Sequence, residues 1–306
     1  MPVCSKSLLG NPRLLIHFSV LLWGFTAILG RLITLPALPL VWWRMAAVSA
    51  VLLAIPRVWA QLRLMSRRLI SAYCVAGGLL ALHWLTFYGA VKLANASVAA
   101  TCLALTTVVL ALAEPIANRR RLSRPELLLA VLVTPSVGLV IGAAPDEMGS
   151  GVILGVLSAV LLAGLGLLNK RLVDYAHPVS MTALEFTAGA ILLSVLAPFV
   201  PSRGPTLPIP SGHDILLLAV LVFGCTILPF VTSFMALRGI SAFYAQLAVN
   251  LEPLYVVLLA AVLLSEHRSL DWSFYLGAGG IVGAVFVHPL LTARSNRRLA
   301  EAGTRA

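Results

Sequence analysis

The chain has 306 residues, 60% of them apolar and only 11% charged, where an ordinary soluble domain carries about 25% charged residues. Together with a mean hydropathy of +0.98 this excludes a soluble globular protein, and no succession of roughly 10-residue alternating segments points to a β-barrel. The formal net charge of +11 raises nucleic acid as a partner, but the placement of the basic residues along the chain argues against it.

Ten apolar runs of about 20 residues, the length a helix needs to cross a bilayer, are predicted. They lie at roughly 13–31, 38–56, 69–91, 96–117, 125–144, 150–170, 177–199, 214–237, 242–264 and 271–291. The first is long and lacks a small-residue cleavage site, so it is expected to be retained rather than removed as a signal peptide. With both termini cytoplasmic, 17 of the 22 basic residues fall inside, among them Arg57, Arg63, Arg67, Arg68 and the run Arg119 to Arg121. Arg31, Lys92, Arg203 and Arg268 remain outside, and Arg44 lies within a span. This asymmetry orients the chain, explains the basic excess without nucleic acid, and offers the inner face to anionic lipid headgroups. The longest connection, Pro198 to Gly212, leaves no room for a soluble catalytic, nucleotide-binding or sensor domain. Cys4, Cys74, Cys102 and Cys225 form no CxxC pair and are expected to be small packing residues, neither metal ligands nor a disulfide framework.

The two halves of the sequence repeat. VLLWG ending at Gly24 is followed by Arg31-Leu32, and VLLAG ending at Gly164 by Arg171-Leu172, an offset of 140 residues. At an offset of 146, Gly78, Leu82, Thr86 and Ala90 recur as Gly224, Leu228, Thr232 and Ala236. The repeats are taken as 1–147 and 148–306, each with five spans. An odd number of spans forces the second copy to insert upside down, which is a known way to build two gates around one central site.

At the ninth span Leu251-Glu252-Pro253 is followed by an apolar run, then Ser265-Glu266, then LGAGGIVGAVFV. This pattern, with HWLTFYGAVKLANASVAA in the first half, resembles the EamA-type ten-helix transporters of the drug/metabolite transporter superfamily over nearly the whole chain. The amino-acid exporter branch is the nearest in character. The resemblance implies an all-α integral membrane protein with a central cavity lined by spans one to four and six to nine, spans five and ten lying outside. It also implies transport of small metabolites, amino acids, nucleosides or cationic drugs. The copies are not chemically equal: Thr107 stands opposite Pro253, Arg120 opposite Glu266, and Thr106 opposite Glu252.

A charge at mid-bilayer costs at least ~2.5–3.5 kcal/mol on insertion scales, so each one needs a reason. Glu252, beside the kink expected at Pro253, could take a proton, hold a substrate ammonium, or brace neighbouring helices. On an ideal helix Asn250 lies about 200° from Glu252, so Gln246, Asn250 and Pro253 share one face and Glu252 the other. Arg44 either snorkels outward, captures a substrate carboxylate, or pairs with an intramembrane glutamate. Glu185 sits at the near-equivalent place in span seven and is a second coupling candidate, whereas Glu114 is expected to pair locally with Arg119 to Arg121. His83 is a proton relay or a hydrogen-bonded helix residue. Trp23 and Phe87 are favoured among the aromatics as cavity walls.

The leading expectation is a secondary transporter, not an enzyme, that exports amino acids or similar small metabolites by alternating access. Any coupling would be to protons, because no nucleotide-binding motif is present. A multidrug, cation or nucleoside exporter of the same fold is the alternative. An intramembrane enzyme on lipid-linked substrates is a remote one, since no DxD, HExxH or GxSxG arrangement occurs. No cofactor or metal is expected; the partners are a small substrate and the lipid bilayer, a functional monomer suffices, and the expected location is a bacterial inner membrane.

Overall fold

The computed structural model describes residues 11–117, 124–143, 145–172, 175–200, 205–237, 239–240, 248–284 and 286–287. Every element among these residues is helical. Helix α1 (Pro12–Leu32) starts at Asn11, whose side chain accepts the Arg13 N–H at 3.0 Å, with Pro12 in the first turn where its missing N–H is harmless. Helix α2 (Ala37–Leu53) stops short of Pro56, which cannot continue the ladder. The chain then turns by 89° into a separate helix α3 (Pro56–Leu64). The apolar run 38–56 gave no sign of this helix, whose arginines and glutamine put it below any membrane threshold. Helix α4 (Arg67–Leu93) begins at Ser66, which accepts the Leu69 N–H at 3.2 Å.

The remaining helices are α5 (Ala96–Ala117), α6 (Arg124–Ala143), α7 (Gly149–Leu172), α8 (Pro178–Leu196), α9 (Gly212–Ala219), α10 (Leu228–Leu237), α11 (Glu252–Leu263) and α12 (272–284). Among the described residues six helices are long and apolar enough to cross a bilayer, and the bent α2–α3 pair raises this to seven.

Two predicted spans depart from regular helix. Between α9 and α10, Val220–Ile227 is a π-helix, one residue wider per turn than its flanks. Span nine is helical at 248–249, turns at 250–251, and restarts as α11 at Glu252. Pro253 is the cause: without its N–H the Val249 carbonyl loses its helical partner. The Leu251 N–H instead closes a tight turn onto the Ala248 carbonyl at 3.0 Å. Span nine is therefore a broken helix rather than a kinked one.

First-half helices pack on second-half helices: α4 against α7 and α8, α2 against α8, α1 against α10 and α11, and α5 against α7 and α11. A Cβ on Gly77 would overlap the backbone of Glu185, so α4 and α8 touch backbone to backbone. At α12, a Cβ on Gly277 would come within 2.7 Å of the Ser136 carbonyl of α6, and these two helices share a hydrophobic cluster with α5 and α7 through residues such as Val98, Val140, Val152, Phe274 and Ile281. The sequence repeat survives in the bonding. Thr86 donates to the carbonyls of Leu82 and His83, and its counterpart Thr232 to those of Leu228 and Pro229.

The halves are also joined through one carboxylate. Glu266 is buried and accepts the backbone N–H groups of Ala96 (3.0 Å) and Ser97 (2.9 Å) and the Ser97 hydroxyl (2.7 Å), while Asn95 accepts the Val98 N–H at 2.8 Å. The first turn of α5 thus has its orphan donors satisfied, two of them by an anion at the positive end of the helix dipole. Replacing Glu266 with Ala strands these buried donors at about 1–3 kcal/mol each. The expected result is a clearly lower melting midpoint in detergent, with Glu266→Gln falling between that variant and the wild type. A midpoint unchanged in Glu266→Ala would remove this bond from the fold's support.

Candidate functional site

A cavity of about 240 Å³ opens between the two halves. Of the side chains singled out in the sequence, Trp23, Arg44, His83, Phe87 and Glu252 line it together. They come from α1, α2, α4 and the start of α11, so the packing of the halves on each other is what assembles them.

Arg44 is 3% exposed and does not snorkel. Its Nε donates to Thr226 Oγ1 at 2.9 Å and its Nη1 to the Tyr88 hydroxyl at 2.8 Å, and its guanidinium carbon lies 3.6 Å from the centre of the Trp84 ring. Among the described residues no carboxylate forms an ion pair with it within 4.0 Å. Thr226 is available because of the π-helix: its hydroxyl donates five residues back, to the Leu221 carbonyl at 2.8 Å, and turns its lone pair to Arg44. The charge is therefore held by neutral groups and an aromatic face, with remaining N–H donors for a ligand in the cavity.

His83 faces the same space. Its Nδ1 lies 3.0 Å from the Ser158 carbonyl, which only accepts, so the neutral ring carries its proton there and keeps Nε2 as an acceptor. Ser158 Oγ, 2.8 Å from the same nitrogen, donates back to the His83 carbonyl at 3.2 Å. The walls are aromatic. Trp23, Phe230, Phe186 and Trp84 form a continuous edge-to-face run with centroid separations of 6.1, 6.1 and 5.4 Å.

A smaller annex of about 60 Å³ adjoins the cavity and shares Leu103, Leu162, Val249 and Glu252 with it. Thr106, Thr107, Asn250 and Pro253 complete its polar side, and the Thr107 hydroxyl donates to Asn250 Oδ1 at 3.1 Å. Asn250 and Glu252 therefore meet in one space, against the separation expected from an ideal helix. The turn at 250–251 swings them together. Val282 of α12 also reaches the annex, so the tenth span is not wholly outside the lining.

Glu185 is buried but does not line the cavity; it lies where α8 crosses α4. Gln246, Arg119 to Arg121 and the side chain of Glu114 lie outside the described residues. Thr26, Thr226 and Phe230 had not been singled out as site residues, and Trp84 and Tyr88 only as aromatics able to stack on a substrate. Thr26 follows Trp23 by three residues and Trp84 adjoins His83, so helical spacing offered a weak signal for both. Thr226 had none, since only the π-helix brings it to Arg44. Among the described residues no group of three His, Cys, Asp or Glu side chains is placed to hold a metal.

The EamA-like transporter family model matches the chain twice, over residues 12–142 and 149–288. The chain belongs to the EamA-like transporter family. It is thereby a multi-pass membrane protein of the drug/metabolite transporter superfamily, built from two copies of that unit. A solved structure, described only as the crystal structure of a protein, shares its fold at a TM-score of 0.62 and 18% identity, covering 92% of this chain and 98% of the other. No curated protein matches the chain.

In this transporter the cavity thus presents an arginine, a glutamic acid side chain and an imidazole on an aromatic wall. Thr226→Val keeps the shape but strands the Arg44 Nε–H, a loss of about 1–3 kcal/mol. A lowered melting midpoint is expected, with Thr226→Ser recovering it because the hydroxyl returns.

Proposed function

We propose that this EamA transporter moves amino acids, or metabolites of similar size that carry both an ammonium and a carboxylate. The observation that carries this reading is that Arg44 and Glu252, a base and an acid not paired with each other, line one cavity of about 240 Å³. That volume lies below the roughly 300–1,000 Å³ usual for ligand sites, which suits a single small metabolite. Arg44 meets the carboxylate, Glu252 the ammonium, and the aromatic run takes an apolar side chain. A simple organic cation is disfavoured because Arg44 already covers the Trp84 face and repels a second positive charge. A nucleoside would leave both charges unanswered.

The transport cycle is alternating access: the two repeats, divided near residues 147 and 148 and inverted in a ten-helix arrangement with cytoplasmic termini, rock around the cavity. The direction is export across a bacterial inner membrane, one chain suffices, and protons supply the drive. The broken ninth span supports a site at the repeat interface, since discontinuous helices commonly frame such sites.

The test is counterflow in proteoliposomes with labelled amino acids, tetraphenylphosphonium and uridine. Amino-acid exchange alone is expected. Arg44→Gln and Glu252→Gln each remove a charge-assisted bond of about 1.5–3 kcal/mol, so apparent affinity should fall roughly 10- to 100-fold in each while the proteins remain inserted. Exchange of only the cation or only the nucleoside overturns the substrate class. No exchange of any probe, with or without a pH gradient, overturns the transport reading.

A further inference from the structure

Glu185 is the buried carboxyl that the cavity does not use. It is 5% exposed, and its Oε1 has no hydrogen-bond donor. Asn169 of α7 hydrogen-bonds the same carboxyl through its side chain, yet its own Oδ1 is also buried without a donor. Two acceptors therefore face a shortage of hydrogen. Among the described residues the charged and titratable surroundings do not supply it. Tyr73, facing it from α4, has its hydroxyl engaged by the Leu172 carbonyl at 2.8 Å. From α2 and α3 the side chains bonded to α8 are Trp42, Ser49 and Gln61, none of them charged, and Asn169 is the contribution of α7. Among the described residues no ion pair reaches Glu185. An ionised carboxylate in such a place would be unpaired and desolvated. One proton removes the difficulty: a carboxylic acid donates its O–H to the amide oxygen while the amide N–H donates to the carboxyl oxygen, satisfying both groups.

The location couples this acid to the cavity. Glu185 lies at the point where Gly77 brings α4 against the α8 backbone, and two turns further along α4 come His83, Trp84 and Phe87 of the cavity wall. A charge appearing at Glu185 must draw in water or a donor, which the backbone contact at Gly77 forbids unless α4 and α8 separate.

We propose that Glu185 is the carrier of the coupled proton, neutral against Asn169 in this conformation and ionised in the opposite one, while Glu252 serves the substrate. The step makes or breaks only the Glu185 O–H bond, the proton coming from water on one face of the membrane and leaving to water on the other. This inference rests on the proton-driven transport proposed above.

Two measurements test it. Infrared spectra of the reconstituted protein near neutral pH should contain the C=O stretch of a protonated, hydrogen-bonded carboxyl that is missing from Glu185→Gln and shifted in Asn169→Leu, which leaves the acid in place without its partner. In proteoliposomes with labelled amino acids, a pH gradient of about one unit should drive about tenfold accumulation per coupled proton in the wild type. Glu185→Gln, which mimics the neutral acid, should lose that accumulation yet retain counterflow within about twofold. Wild-type accumulation in Glu185→Gln, or no carboxyl band assignable to residue 185, overturns the proposal. Should the wild type exchange no amino acid at all, the transport reading fails and the infrared result still decides the state of Glu185.

Discussion

A guanidinium inside a bilayer has to be held, and the way Arg44 is held governs much of this molecule. Its three partners come from two separate places: Thr226 in the π-helix between α9 and α10, and Tyr88 and the Trp84 ring on α4. None is acidic. A carboxylate partner would have cancelled the charge and closed the site, whereas neutral donors and acceptors fix its position and leave its field intact. The π-helix carries the Thr226 hydroxyl to which Nε donates. The lining of the cavity is thus built outward from one buried cation whose charge stays available.

The two repeats supply this arrangement unequally. Thr86 and Thr232 keep the same pair of bonds to the preceding turn, which shows how far the copies agree. At the annex they diverge. Thr106 and Thr107 stand on an unbroken α5, while their counterparts Glu252 and Pro253 begin α11 after a turn. The positions that correspond in sequence meet in space, so the loss of symmetry is concentrated where the halves face each other. One copy supplies a continuous helix and hydroxyls, the other a helix end and a carboxylate.

The helical membrane architecture and five of the cavity residues were legible in the sequence, for one reason. A charged or titratable group within an apolar run is costly, so Arg44, His83 and Glu252 announced themselves, and Trp23 and Phe87 followed from the spans they occupy. What stayed hidden depended on backbone geometry that composition does not encode. The angular separation of Asn250 and Glu252 was computed on an ideal helix, and the break before Pro253 made it void. Phe230 and Trp84 were indistinguishable from packing aromatics, because in lipid both kinds are equally apolar. The position of Glu185, close to the repeat counterpart of Arg44, suggested a cavity residue, but the backbone contact at Gly77 places it beside the wall instead. Helix α3 escaped because a window tuned to hydrophobic length passes over a short polar helix.

The bond from Glu266 to the start of α5 spans 170 residues of chain. At synthesis rates of about 5–20 residues per second, the first turn of α5 waits on the order of 10–30 s for its capping carboxylate to be made. During that interval its N–H groups must find water, lipid headgroups or the insertion machinery. The start of the fourth crossing is therefore capped only once Glu266 of the second repeat has been made. A duplicated protein that once assembled from two separate chains would have met this demand through its partner, and here the linkage has turned a requirement for a partner into a requirement for time.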